Sequence, residues 1–210
     1  MHIAEGILTP PVLVAGGLVA AAGVAVGLRR MDLEAVPRVA VLSSALFVAS
    51  LIQAPVGPAS VHLVLIGLAG VVLGWAAFPA FLVALLLQCI FFGFGGIAVL
   101  GVNTANMAIP AVVCHYVFRL TRPRRREAMG FVGGFIAGAL GIVLGALLVS
   151  LTLMTTGRAF TAAATVIFSA HLPVAAIEGV VTGWAVALLC KVRPEVLSPV
   201  RPAERNPSVA

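Results

Sequence analysis

The sequence predicts an all-α integral membrane protein of seven transmembrane helices with its N-terminus outside and its C-terminus inside, and three observations carry that prediction. Of the 210 residues, 61% are hydrophobic and only 10% are charged, against about 25% charged in an ordinary soluble domain. Mean hydropathy is +1.17, which excludes a water-soluble globule. The 22 glycines suit helices packed in lipid, where small residues let backbones approach closely. Third, the basic residues are not scattered. The formal charge of +6 would raise nucleic-acid binding in a soluble chain, but here the positions of the charges report membrane orientation and no nucleic-acid partner is expected.

A spanning helix needs about 20 predominantly apolar residues. Seven such stretches run approximately over 10–28, 37–53, 59–75, 78–98, 103–119, 129–153 and 163–190. The third is short and lies between Pro58 and Pro79, so charge parity decides whether it crosses. Arg29, Arg30 and Arg38 lie between the first two stretches. Arg119, Arg122, Arg124, Arg125 and Arg126 lie between the fifth and sixth, and Lys191, Arg193, Arg201 and Arg205 follow the last. If all three groups are cytoplasmic, an even number of crossings separates each from the next, and four then two stretches satisfy that condition. Without the third stretch they do not. Only Arg158 is then left on the outer side.

Residues 1–190 read as one polytopic membrane domain, and residues 191–210, rich in proline and charge, as a flexible cytoplasmic tail. The opening MHIAEGILTPP has no basic n-region and carries Glu5 and two prolines, so no cleavable signal peptide is expected and Met1 is retained. Cys89, Cys114 and Cys190 fall in separate apolar stretches without a Cys-x-x-Cys pair and read as small core residues. The spacings Gly23 to Gly27, Gly134 to Gly138 and Gly141 to Gly145 read as internal helix packing, with a docking face for another membrane subunit as the alternative. Arg122-Pro-Arg-Arg-Arg fixes topology and meets anionic headgroups of the lipid bilayer.

Chemistry is expected from the few polar residues. On this topology His2, His62 and His171 all lie toward the outer side, whereas His115 lies inward beside Tyr116 and Arg119. A free terminal amine, the amide nitrogen of residue 2 and a His2 imidazole Nδ1 can close adjacent five- and six-membered chelate rings around one cation. One further imidazole, for which His62 is the choice, completes a planar four-nitrogen set suited to Ni(II) or Cu(II) rather than Mg(II) or Ca(II). Binding would release protons from amine and amide and so weaken in acid. The plain alternative is a terminal histidine in solvent. His171 and Glu178, seven residues apart, share one helix face about two turns apart, and Glu178 could orient a ligand or complete an interior network. Gln53, Asn103 and Asn106 can supply hydrogen bonds that set an imidazole's tautomer.

Four ordered blocks, MHIAEGIL, GPASVHL around His62, FGGIAVLGVNTANMAIPA from Phe94 to Ala111 and HLPVAAIEG from His171 to Gly179, together resemble the CbiM/NikM family. These are the substrate-capturing membrane subunits of cobalt and nickel energy-coupling-factor transporters. The resemblance covers about residues 1–190. It implies a seven-helix fold with an outer metal site in which the retained Met1 and His2 chelate the ion, His62 adding a ligand from a membrane helix. It also implies a coupling membrane subunit (T component), two cytoplasmic ATP-binding subunits and a separate small accessory membrane subunit, since the fused C-terminal segment of some members is missing. No prosthetic group is implied; Co(II) or Ni(II) is the cargo. Two positions depart from the family's pattern. Ile66 stands where Asn is frequent, and Phe94 where a polar residue or His is frequent, so a polar support or exit path built on those groups would be lost here.

The chain holds no G-x-x-x-x-G-K-[ST] phosphate loop, so ATP hydrolysis is assigned to partners and not to this chain, which is not expected to be an enzyme. The rival reading is a stand-alone divalent metal permease or channel. An intramembrane metalloenzyme is poorly supported, because no His-Glu-x-x-His pair or nucleophile-base constellation occurs.

Overall fold

The computed structural model describes residues 3–56, 59–121 and 127–197. Met1 and His2, the basic residues Arg122, Arg124, Arg125 and Arg126, and Arg201 and Arg205 lie outside them. Seven helices follow in chain order. Helix α1 spans Pro10–Arg29, α2 Val36–Ala49, α3 Ile66–Leu73, α4 Ala77–Phe92, α5 Leu100–Thr121, α6 Glu127–Thr156 and α7 Thr161–Val192. Prolines open α1 and α2 within the first two helical positions, where a missing N–H leaves no bond unmade. The Asp32 carboxyl accepts from the Ala35 N–H at 2.8 Å and starts the short 3-10 turn that leads into α2.

The expected third span is where the sequence reading needs correction. Residues 59–75 do not begin as a helix: strands β1 (Gln53–Val56) and β2 (Ala59–His62) form an antiparallel hairpin, and α3 starts only at Ile66 and is eight residues long. The second expected span is also shortened, to the 14 residues of α2. Neither helix alone matches the roughly 30 Å hydrocarbon core, which needs about 20 residues. Among the described residues four helical stretches are long and apolar enough to cross: Pro10–Arg29, Ile66–Phe92, Ala128–Thr156 and Thr161–Val192. Helix α5 has the length, at 22 residues, but carries Asn103, Asn106 and Arg119.

Side-chain neighbours give the helix directions. The Gly70 carbonyl meets His115 Nδ1 at 3.2 Å, and Gly74 faces the same imidazole, so α3 runs alongside α5 in the same sense. After a turn at Gly74 (φ +56), α4 runs back. Phe78 near its start lies against Gly23 of α1, and Phe92 at its end packs on Phe47 and Phe94. Helices α6 and α7 are antiparallel along their length, with Gly130 beside Cys190, Gly134 beside Val186 and Gly138 beside Thr182. The small-residue spacings are thus internal contacts. Gly23 and Gly27 receive Phe78 and Pro79, Gly134 and Gly138 receive α7, and Gly141 receives Ile66.

This arrangement sorts polar groups to two ends. Arg30, lying 5.1 Å from the centre of the Trp75 ring, and Arg119 line one cavity. Arg38 donates to the Val196 carbonyl at 3.3 Å, so the start of α2 and the end of α7 meet at the same end. That bond, together with the packing of Val196 and Leu197 on the bundle, shows that the first residues of the expected tail are docked through a 3-10 turn at Pro194–Leu197. The N-terminal segment, the hairpin and the loop 93–99 gather at the opposite end.

A Cβ on Gly70 would lie 2.9 Å from the Ala111 carbonyl carbon, well inside contact distance. Gly70→Ala is therefore expected to destabilise the bundle by about 1–3 kcal/mol, the usual cost of overpacking. Thermal unfolding of the detergent-solubilised protein checks this, with Gly17→Ala, where no atom lies within 4 Å, as the silent control.

Candidate metal centre

At the end away from the arginines, the chain's first described residues are tied down by backbone bonds. The buried Ile3 N–H donates to Asn103 Oδ1 at 3.1 Å, and Asn103 Nδ2 donates to the Ile3 carbonyl at 3.1 Å. An amide side chain carries an acceptor and two donors, so a single Asn can bond both groups of one residue as a sheet partner would. Two residues on, the Glu5 N–H donates to the Gly95 carbonyl at 2.8 Å, and the Glu5 carboxyl accepts from the Ala98 N–H at 3.3 Å. Gly96 has φ +130, and a Cβ there would lie 2.8 Å from the Glu5 carboxyl carbon. Only glycine fits both the backbone and the space. Residues 3–5 are thus clamped to the start of α5 and to the loop before it.

The second component is the hairpin. His62 ends β2 and pairs in register with Gln53 on β1, so those two expected site residues are directly opposite on neighbouring strands. The turn from β2 into α3 is held from behind by Glu178. Its carboxyl oxygens accept from the Val64 N–H and from the Leu65 N–H, the latter at 2.9 and 3.1 Å. Leu65 has φ +56 and ψ +31 and is the one non-glycine residue with positive φ among those described, a conformation costing roughly 1–2 kcal/mol for a residue with a Cβ. Glu178 is 0% exposed, and both its oxygens serve these amides. Of the two expected roles of Glu178, orienting a ligand or completing an interior network, these bonds are of the second kind, and they shape the backbone just after His62.

His171 is buried, with Nδ1 2.7 Å from the Ile167 carbonyl one turn back and Nε2 without a partner among the described residues. A carbonyl at Nδ1 places the proton there and leaves Nε2 as the lone-pair nitrogen. Asn106 accepts from the Thr152 hydroxyl at 3.4 Å through Oδ1, while its Nδ2 is buried and unpartnered. Asn103 is committed to Ile3. Among the described residues no three His, Cys, Asp or Glu side chains converge into a ligand set, and Met1 and His2 lie outside them. Of the two departures, Ile66 is fully buried against Gly141 and Phe94 stacks on Phe92 at 5.7 Å. Both positions serve packing.

Ile3, Glu5, Gly95, Gly96 and Ala98 are parts of this end that the sequence reading did not single out. The glycine pair Gly95–Gly96, ahead of Asn103 in the sequence, was the available signal for a tight loop, but the pairing across about a hundred residues had none.

Apolar helices laid side by side, four of them among the described residues long and apolar enough to cross a bilayer, define a multi-pass membrane protein. Comparison with known proteins identifies which. Residues 2–196 match the family model for the cobalt uptake substrate-specific transmembrane region, CbiM, and the chain belongs to that family. A relative from Haemophilus influenzae, described as a putative metal transport protein, is 46% identical over 200 residues, covering 94% of this chain and 97% of the relative. The cobalt transport protein CbiM of Sorangium cellulosum is 33% identical over 94% of both chains. The fused nickel transport protein NikMN of Rhodobacter capsulatus is 35% identical over 96% of this chain and 65% of its own length. A crystal structure described as a truncated transition metal transporter superposes with a TM-score of 0.71 at 26% identity, covering 91% of this chain and 99% of that one. The chain is a cobalt/nickel uptake substrate-specific membrane component of the CbiM/NikMN type, and a multi-pass plasma-membrane protein.

Asn103→Leu removes both bonds to Ile3 while keeping volume. The exchange of the Ile3 and Glu5 amide protons is expected to accelerate by about tenfold or more, since a buried bidentate contact worth about 2 kcal/mol is lost. Hydrogen exchange of the detergent-solubilised protein measures it. Unchanged protection would show that the segment is held by other contacts.

Proposed function

We propose that this chain captures Co(II) or Ni(II) at the outer membrane face through the Met1 amine, the His2 amide and imidazole, and a His62 imidazole. It would then deliver the ion as the substrate-specific component of an ATP-driven energy-coupling-factor transporter. The observation that carries the reading is the bidentate hold of Asn103 on Ile3. It fixes Ile3 at the end of the bundle where β2 ends in His62 and where the buried His171 Nε2 has no partner among the described residues, which supports a ligand role for the residues before Ile3. Chelation by a chain terminus needs such an anchor, because an unrestrained terminus would lose much of its binding energy to ordering entropy.

In this reading seven segments cross or enter the bilayer. The arginine-rich end is cytoplasmic in keeping with the positive-inside rule, and the N-terminus is outside. Alternation of helix direction along the chain and the gathering of Arg30, Arg38 and Arg119 at one end support it. The ion is held by nitrogen donors that lose protons on binding, so capture weakens as pH falls. Asn103 and Glu178 keep the N-terminal segment and hairpin in place while the donors exchange water for ligand. His171 and Asn106 would offer further polar contact below them. Release inward follows when the bundle is reoriented by a coupling membrane subunit driven by two ATP-binding subunits, a small accessory membrane subunit completing the assembly.

The test is uptake of radioactive nickel and cobalt into vesicles. Vesicles containing this chain alone are expected to show background accumulation, and vesicles containing the assembled complex to concentrate metal only with ATP. Rapid uptake by the chain alone without ATP would instead establish the stand-alone permease.

A further inference from the structure

At the arginine-rich end, the turn after α3 and the last turns of α1 and α5 enclose a cavity of about 100 Å³ lined by Arg30, Trp75, His115, Tyr116 and Arg119. Both arginines are exposed, and among the described residues neither has a carboxylate partner. The Trp75 Nε1–H donates to the Tyr116 hydroxyl oxygen at 2.9 Å, which leaves the Tyr116 O–H free to donate. Two guanidiniums and a phenol therefore face one opening, and among the described residues that line it none is acidic.

Beside it lies a second, larger hollow of about 380 Å³ between α1 and α5. It is floored by Gly23 and walled by Val19, Val26, Phe78, Ile109 and Val113. Trp75 lines both hollows, so the polar cavity and the apolar groove adjoin at its indole. Gly23 deepens that groove because no side chain can be placed there without meeting the Phe78 ring.

We infer that these joined hollows bind one anionic glycerophospholipid, with its headgroup phosphate between Arg30, Arg119 and Tyr116 and one acyl chain in the groove along Gly23. Charge complementarity assigns the headgroup: guanidinium forks match phosphate oxygens, and basic pockets between membrane helices retain anionic headgroups. The continuous apolar groove assigns the source, since a soluble phosphate would leave it uncovered while a lipid fills both. Trp75 sits where the two chemistries meet, the place an indole with an apolar body and a polar N–H occupies at a membrane interface. The lipid would fasten the end of α1 to the end of α5 and to the α3–α4 turn. This inference does not depend on the metal chemistry at the other end.

Trp75 is also the reporter. The chain has two tryptophans, and Trp184→Phe leaves Trp75 alone while keeping an aromatic ring against Phe131. This single-tryptophan protein is placed in phosphatidylcholine bilayers containing small fractions of either brominated phosphatidylglycerol or brominated phosphatidylcholine, and quenching of Trp75 is compared. The anionic lipid is expected to be preferred by about fivefold per arginine. The preference should disappear in Arg30→Gln/Arg119→Gln and largely persist in Arg30→Lys/Arg119→Lys, with millimolar inorganic phosphate leaving it unchanged. Equal quenching by the two brominated lipids overturns the inference, as does loss of the preference in the lysine pair or its retention in the glutamine pair. Abolition by inorganic phosphate overturns the lipid assignment in favour of a free-anion site.

Discussion

The bond from Glu178 to the Val64 and Leu65 amides is the constraint on which the hairpin end of the bundle depends. A carboxyl group buried inside a helical bundle is expensive unless its oxygens are used, and two backbone N–H groups with no helical partner have the complementary need. Each satisfies the other. The bond also holds Leu65 left-handed, which ends the hairpin strand and lets α3 begin at Ile66 instead of several residues earlier. From there Gly67 and Gly70 carry α3 against α6 and α5 at backbone distance. The depth of α3, the height of the hairpin and the position of His62 in the chain of contacts all follow from where that carboxyl sits on α7.

The N-terminal segment obeys the same logic with a neutral side chain. Asn103 gives Ile3 the two bonds a neighbouring strand would give, and Glu5 reaches the loop before α5. Residue 2 is therefore the first residue beyond a fixed point. A terminal chelate built on such a point needs little further ordering to bind an ion, which favours tight capture. The antiparallel α6–α7 pair, close-packed through glycines and phenylalanines, forms the stiff side of the bundle. The short helices α2 and α3 and the hairpin are built from far fewer turns.

Much of the fold was legible because lipid solvation leaves a strong composition signal. Helices α1, α4, α5, α6 and α7 fall close to the apolar stretches, and of the basic residues that marked one side, Arg30, Arg38 and Arg119 lie at one end of the bundle. The third stretch was misread because an apolar run carries no period that separates a buried strand from a buried helix. Pro55, Gly57 and Pro58 were the local turn signal that hydropathy overrode. At the site, Asn103 and Glu178 were recognised as polar groups with work to do, but their partners were not. Those partners are backbone amides and a carbonyl 100 to 114 residues away, and backbone groups have no sequence signature. Ile3 and Glu5 lay inside the block MHIAEGIL, yet only the folded chain shows that they bond to Asn103 and to the loop before α5.

The claim at the centre of this account is that the chain's own first two residues hold the metal. Calorimetric titration of the purified protein with Ni(II) and Co(II) addresses it directly when repeated on His2→Ala and on a chain that keeps His2 but carries an acetylated N-terminus. The account predicts that both ions bind the parent protein with affinity falling in acid, and that binding is lost in both altered chains while their helical content and thermal stability are retained. Parent-like affinity in either altered chain would contradict it.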